Sequence, residues 1–190
     1  LLQVISDMVR AEAVQLEQRM RFVPDLEIYL SVVRGKTAAL FDWGMRAGSR
    51  AQGLDEERVA ALGDVGSHLG VAFQVVDDVI DLEGDPEITG KDPVADLRDG
   101  KMTLPVLLAV ESDQALRSKL RALATSAQGS EPGNAAELVE LIRSTGALER
   151  ARSFAREQGD QARSLLRQLP VSTARTAMEW VIDAAINRTF

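Results

Sequence analysis

Hydrophobic residues recur every three or four positions along much of this chain, a spacing typical of helices. A first helix runs from Leu2 to Leu16. Pro24 then breaks the chain, and Asp25 is suited to cap a second helix that continues to about Ala47. The first quarter of the chain is therefore predicted to be helical.

The same spacing predicts helices in the rest of the chain. The acidic run Asp55–Glu57 precedes an apolar stretch, where carboxylates favour a helix N-terminus. Glycine and proline predict a loop from Leu82 to Pro93, and a helix begins again near Thr103–Pro105. Four or five further helices follow between Leu107 and Phe190.

One predicted helix, from Phe73 to Asp81, carries an unusual group of acids. At about 100° per residue, Asp77, Asp78 and Asp81 fall in one sector of the helix, and Gln74 lies one turn earlier. Like charges this close repel each other, so the group is more stable when it binds a cation. Oxygen ligands of this kind suit Mg²⁺, which usually also bridges to a phosphate.

Two other interpretations of these acids fit the sequence less well. A solvated acidic face is the ordinary one, but the surrounding residues are too apolar to leave a solvated face. A calcium-binding EF-hand loop is excluded, because the run Asp81–Asp85 has its glycine at the wrong position and lacks the closing glutamate. The sequence therefore predicts a buried helix whose acids line a cavity and bind Mg²⁺.

Lysines on either side of this helix are candidates for holding an anion. Lys36 lies beside Thr37 in the middle of an apolar helix, where a lysine usually extends to solvent but is also able to reach the acidic cavity. Lys91 and Lys101 flank the predicted loop, and spacing alone favours ordinary surface lysines. Both interpretations stay open from the residues alone.

Composition narrows the fold and the class of protein. The 190 residues are 45% hydrophobic but only 4% aromatic, which favours a single all-α domain of packed helices. A net charge of −7 argues against nucleic-acid binding, and the longest apolar runs are short for a transmembrane segment. The absence of cysteine excludes disulfides and is compatible with a cytoplasmic protein.

Three stretches together resemble the trans-isoprenyl diphosphate synthases, or polyprenyl synthetases. They are Lys36–Phe41, Gly70–Asp81, and Gly90-Lys91 followed by Asp96–Pro105. Their order and spacing are similar to the second half of that family, including its second aspartate-rich motif. The segment Met8–Leu16 also resembles a family helix, although Ala11 stands where glycine is common.

The resemblance implies a helical bundle around a central cavity, the isoprenoid synthase type. It implies a prenyltransferase that condenses isopentenyl diphosphate with an allylic diphosphate and releases diphosphate by Mg²⁺-assisted ionisation. In that family Asp77, Asp78 and Asp81 would bind the metal, and Lys36, Lys91 and Lys101 would grip the diphosphate. Thr37 and Gln74 would face the allylic cation. The family is typically homodimeric, so a homodimer is expected.

The chain also departs from the family. No first aspartate-rich motif occurs between Leu1 and Val76, and the basic residues that usually receive isopentenyl diphosphate are missing as well. The chain is therefore expected to be the C-terminal part of a polyprenyl synthetase domain, with the N-terminal helices missing, and to be an incomplete enzyme. A non-catalytic partner subunit of a prenyl diphosphate synthase is the alternative.

Overall fold

The computed structural model describes residues 1–83, 95–125 and 132–189, without the side chains of 132–135, and every regular element in these ranges is a helix. This confirms the all-α fold. The helices are α1 (Leu2–Gln18), α2 (Leu26–Val33), a π turn (Arg34–Ala38), α3 (Ala39–Ala51), α4 (Glu56–Glu83), α5 (Ala95–Arg98), α6 (Leu104–Ser112), α7 (Ala115–Thr125), α8 (Pro132–Ser144), α9 (Ala147–Arg167) and α10 (Thr173–Asn187).

Helix boundaries follow the capping chemistry expected from the sequence. The Asp25 carboxylate accepts a hydrogen bond from the Ile28 amide at 3.0 Å, and that of Asp55 accepts one from the Arg58 amide at 2.9 Å. Pro105 lies in the first turn of α6, where its missing N–H costs nothing. Helix α4 extends to Glu83, so the first two residues of the predicted loop are helical.

The second helix is longer and less regular than predicted. It ends at Ala51 rather than Ala47, and a π turn at Arg34–Ala38 separates α2 from α3. Such turns often accompany functional sites because they re-aim side chains. This one contains Lys36 and Thr37, and hydrophobic spacing carries no signal for it.

Helix α4 is the central element, and it packs mainly against α3 and α9. Two glycines of α4 allow it to pack closely against the end of the π turn and the start of α3. A Cβ on Gly66 would lie 2.5 Å from the Phe41 carbonyl oxygen, and one on Gly70 would lie 2.6 Å from the Ala38 Cα. The spacing between the helix that carries Lys36 and α4 therefore depends on these glycines.

Among the described residues, α4 is the one helix long and apolar enough to cross a membrane. More than half of its most apolar 18-residue window, 56%, is already buried against other parts of the protein. A core helix passes the same test of length and composition, so the apolar character of α4 is accounted for by its packing.

Helix α1 lies against the π turn through the position where glycine is common in the family. Ala11 is buried, and a Cβ on Gly35 would lie 2.8 Å from the Ala11 Cβ. The methyl group of Ala11 therefore takes up the space that Gly35 leaves open. This contact brings Glu12 and Gln15 of α1 next to the π turn.

Candidate active site

A cleft of about 290 Å³ lies between α1, α2, the π turn, α4 and the segment 96–103. It brings together residues far apart in the sequence. Its polar lining includes Gln15, Arg19, Tyr29, Lys36, Thr37, Gln74, Asp77, Asp78, Asp81, Asp96 and Lys101. Every candidate site residue within the described ranges lies in this cleft, and Lys91 lies outside those ranges.

A chain of hydrogen bonds crosses the floor of the cleft. The Thr37 hydroxyl donates to Gln74 Oε1 at 2.8 Å, and Gln74 Nε2 donates to Asp78 Oδ1 at 3.0 Å. On the other side, the Tyr29 hydroxyl donates to Asp78 Oδ2 at 2.7 Å. These hydrogen bonds hold the side chains of Thr37, Gln74 and Asp78 in one fixed arrangement.

Asp78 is the most deeply buried carboxyl group of the cleft, with 5% of its surface exposed. Burial raises its pKa to about 7, although the hydrogen bonds from Gln74 and Tyr29 favour the ionised form. Burial, together with the neighbouring Asp78 carboxylate, also raises the pKa of Tyr29 well above its usual value. Tyr29 therefore stays a hydrogen-bond donor at neutral pH.

Asp77 is held by an arginine from the far end of the chain. Arg188 Nη2 lies 3.3 Å from Asp77 Oδ1 and donates to the Phe73 carbonyl oxygen at 2.9 Å. The anion that Arg188 contacts is therefore the side chain of Asp77. No lysine or arginine lies three or four residues from Asp77 along α4, so the tertiary structure provides the compensating charge.

The opposite wall carries two lysines, and each one contacts a carboxylate. Lys36 Nζ lies 2.8 Å from Gln15 Oε1 and 2.5 Å from Glu12 Oε2, and its hydrogen bond lowers the pKa of Glu12. Lys101 Nζ lies 2.5 Å from Asp96 Oδ1. These lysines point toward the cleft, which supports the interpretation in which they reach it.

The surroundings of Lys101 shift its pKa in opposite directions. Burial lowers its pKa, but the hydrogen bond and charge of Asp96 and the charge of Asp99 raise it further, so that the net shift is upward. Lys101 is therefore a cation at any physiological pH. The adjacent Asp96 carboxylate also stabilises the charge of Lys101, which is partly buried.

Three lining residues gave no clear signal in the sequence. Tyr29, the single tyrosine of the chain, lies in the apolar helix α2, and its buried hydroxyl requires an acceptor. Arg19 follows α1, and its Nε is buried without a hydrogen-bond partner among the described residues. Asp96 pairs with Lys101 only because the chain turns at Gly100.

The segment that carries Arg19 has a strained backbone. Met20 and Phe22 have positive φ angles of 66° and 49°, which non-glycine residues rarely adopt. The Met20 amide donates to the Gly100 carbonyl oxygen at 3.2 Å, and Phe22 is fully buried. These contacts hold the strained segment against the one that carries Lys101.

The donor chemistry of the acidic wall fits Mg²⁺, because Asp77, Asp78 and Asp81 offer only oxygen. In the described parts of the chain, however, no three acidic or histidine side chains are grouped closely enough to hold a metal ion. Asp77 is bonded to Arg188, and Asp78 is bonded to Tyr29 and Gln74. The carboxylates are held by protein donors.

Comparison with known proteins gives the same family that the motifs resemble. The polyprenyl synthetase family model matches residues 1–142. The chain is 32% identical over 166 residues to a nonaprenyl diphosphate synthase of Mycobacterium tuberculosis, covering 87% of this chain and 49% of that protein. It is 34% identical over 175 residues to a heptaprenyl diphosphate synthase component 2 of Geobacillus stearothermophilus, covering 92% and 53%.

Solved structures agree on the fold. A heptaprenyl diphosphate synthase of Staphylococcus aureus superposes with a TM-score of 0.90 at 24% identity, covering 99% of this chain and 58% of that one. A decaprenyl diphosphate synthase of Rhodobacter capsulatus gives 0.86 at 32% identity, covering 100% and 58%. The chain thus spans about half the length of the relatives it matches. On its motifs, its fold and this match over three quarters of its length, the chain belongs to the polyprenyl synthetase family.

Proposed function

We propose that the protein containing this chain is a trans-prenyltransferase that condenses isopentenyl diphosphate with an allylic diphosphate. One observation supports this above the others: a single cleft has Asp77, Asp78 and Asp81 on one wall and Lys36 and Lys101 on the other. A diphosphate carries several negative charges, so lysines and a carboxylate-bound cation are able to bind it at the same time. Relatives named as prenyl diphosphate synthases support the same activity.

The proposed roles follow from the positions of the side chains. Lys36 and Lys101 contact the diphosphate, and the family resemblance implies the same role for Lys91, which lies outside the described residues. Asp77, Asp78 and Asp81 hold Mg²⁺, which when bound neutralises the charge that develops on the departing diphosphate.

Thr37 and Gln74 are proposed to face the allylic cation. Their oxygen atoms are joined by the hydrogen bond at 2.8 Å, so each carries a fixed partial negative charge without a full one. A neutral dipole stabilises a carbocation without reacting with it as readily as a carboxylate does. Gln74 is further held by Asp78, which keeps the amide oriented toward Thr37.

The activity is tested by Mg²⁺-dependent incorporation of labelled isopentenyl diphosphate into prenyl product, with an allylic primer. We propose that the 190-residue chain alone carries only one of the two aspartate-rich motifs needed to bind the diphosphate and gives no product. A polypeptide that also carries the first motif is expected to be active. Product from the 190 residues alone would contradict the half-enzyme proposal. No product from the longer polypeptide would contradict the catalytic one.

A second candidate function is a non-catalytic partner subunit, and the relative named component 2 of a heptaprenyl diphosphate synthase supports a role as one of several components. A partner subunit without catalysis has no need of an intact metal helix, and α4 keeps all three aspartates. The two functions are separated by mixing the longer polypeptide with a second synthase chain: a partner subunit gives product only in the mixture.

We also propose a homodimer, which the family resemblance implies, in the cytoplasm, with which the absence of cysteine is compatible. Light scattering during gel filtration measures the mass of the assembly, and twice the mass of one chain is the expected result. A monomer would contradict the proposal.

A further inference from the structure

Arg188 is tied to α4 by two contacts that do not involve a carboxylate. Its guanidinium carbon lies 4.0 Å from the centroid of the Phe73 ring, a cation–π geometry. Its Nη2 donates to the Phe73 carbonyl oxygen at 2.9 Å. These contacts determine where the positive charge sits, whether or not Asp77 is bonded to it.

The same guanidinium nitrogen lies 3.3 Å from Asp77 Oδ1. The side chain of Arg188 is 23% exposed, so water screens this charge only partly. A divalent cation bound by Asp77 would share one carboxylate with the guanidinium and be repelled by it. At the intermediate dielectric of a half-buried site, such repulsion weakens cation binding by about tenfold or more.

We propose that Arg188 competes with Mg²⁺ for Asp77, which makes cation binding to the acidic wall weak until a diphosphate is present. The inference rests on the proposed function and adds a positioning residue to its site. A bound diphosphate supplies enough negative charge to offset both the guanidinium and the cation, so the repulsion matters least when substrate and metal bind together. Arg188 thereby couples metal binding to substrate binding.

The test measures Mn²⁺ affinity by electron paramagnetic resonance on the full natural polypeptide without substrate. Arg188→Gln is expected to bind Mn²⁺ about tenfold more tightly than the parent protein, because the repelling charge is gone. Arg188→Lys keeps the charge and is expected to stay close to the parent value. A damaged fold lowers metal affinity, so a gain distinguishes competition from a merely structural role.

A matched control is available on α10. Arg175 also forms an ion pair, with Glu179 at 3.2 Å, but it does not line the cleft. Arg175→Gln is expected to leave the Mn²⁺ affinity unchanged. The Asp77→Asn background gives a second check: there, Arg188→Gln should produce a smaller gain, because the carboxylate that the two cations share is absent and only the repulsion through space remains.

Inorganic diphosphate completes the experiment. With saturating diphosphate, the difference in Mn²⁺ affinity between Arg188→Gln and the parent should shrink. An unchanged or weaker affinity in Arg188→Gln would overturn the proposal, as would a gain of undiminished size in Asp77→Asn. If neither the parent nor any variant binds Mn²⁺, the proposed metal site itself is wrong, and the competition falls with it.

Discussion

The two walls of the cleft differ in how they are built. The acidic wall is one helix: Asp77, Asp78 and Asp81 follow from the periodicity of α4, and their spacing is local. The basic wall comes from separate elements, with Lys36 in the π turn and Lys101 after α5. The acidic wall is therefore predictable from the sequence of one helix, whereas the residues of the basic wall come together only when the protein folds.

The walls also differ in how their charges are stabilised. Each lysine is paired with a carboxylate at 2.5 Å, Lys36 with Glu12 and Lys101 with Asp96. The acids depend on donors from distant parts of the chain, Tyr29 for Asp78 and Arg188 for Asp77. The acidic wall therefore depends on two side chains that only the tertiary fold brings to it.

The largest expected effect comes from removing a carboxylate from the acidic wall. In the full natural polypeptide, Asp81→Asn should lower kcat by roughly 10²- to 10³-fold, the usual loss when one group that stabilises charge in a transition state is removed. Steady-state prenyl transfer measures it. Asp64→Asn, an exposed acid on the same helix, is the control and should keep kcat. A loss below tenfold in Asp81→Asn would remove this acid from the proposed site.

The second prediction concerns how the free energy of unfolding depends on pH, measured with a chelator present so that no metal ion is bound. The folded pKa of Asp78, about 7, lies above the unfolded value of 3.8, so the folded state binds this proton more tightly. The resulting stability is fully present below pH 3.8 and is lost as the pH rises to 7, up to a limit of about 4 kcal/mol. Urea unfolding at several pH values measures it.

Asp78→Asn is the variant that isolates this effect. A neutral amide has no ionised form to desolvate, so the variant should lose less stability than the parent between pH 5 and 7. Gln74 is able to turn its amide to suit the new partner, since the Thr37 hydroxyl both donates and accepts. Parallel stability profiles for the two proteins would show that Asp78 does not titrate in this range.

The third prediction tests the basic wall. Lys36→Gln should raise KM for the allylic diphosphate by about tenfold to a hundredfold, because a charge-assisted hydrogen bond is lost. Its effect on kcat should be smaller, which contrasts with Asp81→Asn. Lys119→Gln, an exposed lysine of α7, is the matched control and should change neither constant. An unchanged KM in Lys36→Gln would place the diphosphate elsewhere.

The smallest expected effect concerns the spacing between the walls. Gly66→Ala places a methyl group 2.5 Å from the Phe41 carbonyl oxygen and should lower the free energy of unfolding by about 1–3 kcal/mol. Gly44→Ala, in α3, has nothing within 4 Å of its Cβ and should raise it by about 0.5–1 kcal/mol. Chemical denaturation measures both. Equal effects would contradict the packing described for α3 and α4.

Sequence reasoning worked best where the physics is local. Capping at Asp25 and Asp55 and the run of acids on α4 each depend on residues within a turn or two, and the structure places them as expected. The π turn was missed, because a wide turn inside a continuous helix does not change hydrophobic spacing enough to be seen. Lys36 is aimed by that turn, so its orientation stayed open.

The sequence by itself determined the helices, the oxygen donors grouped on α4 and the family, because each depends on spacing along a few turns of chain. The tertiary structure alone decided which charges meet. Tyr29 reaches Asp78 across 49 residues and Arg188 reaches Asp77 across 111, and no periodicity records such distances. Burial, which gives Asp78 its raised pKa, is likewise a property of the packed molecule, since it depends on how many neighbours exclude water.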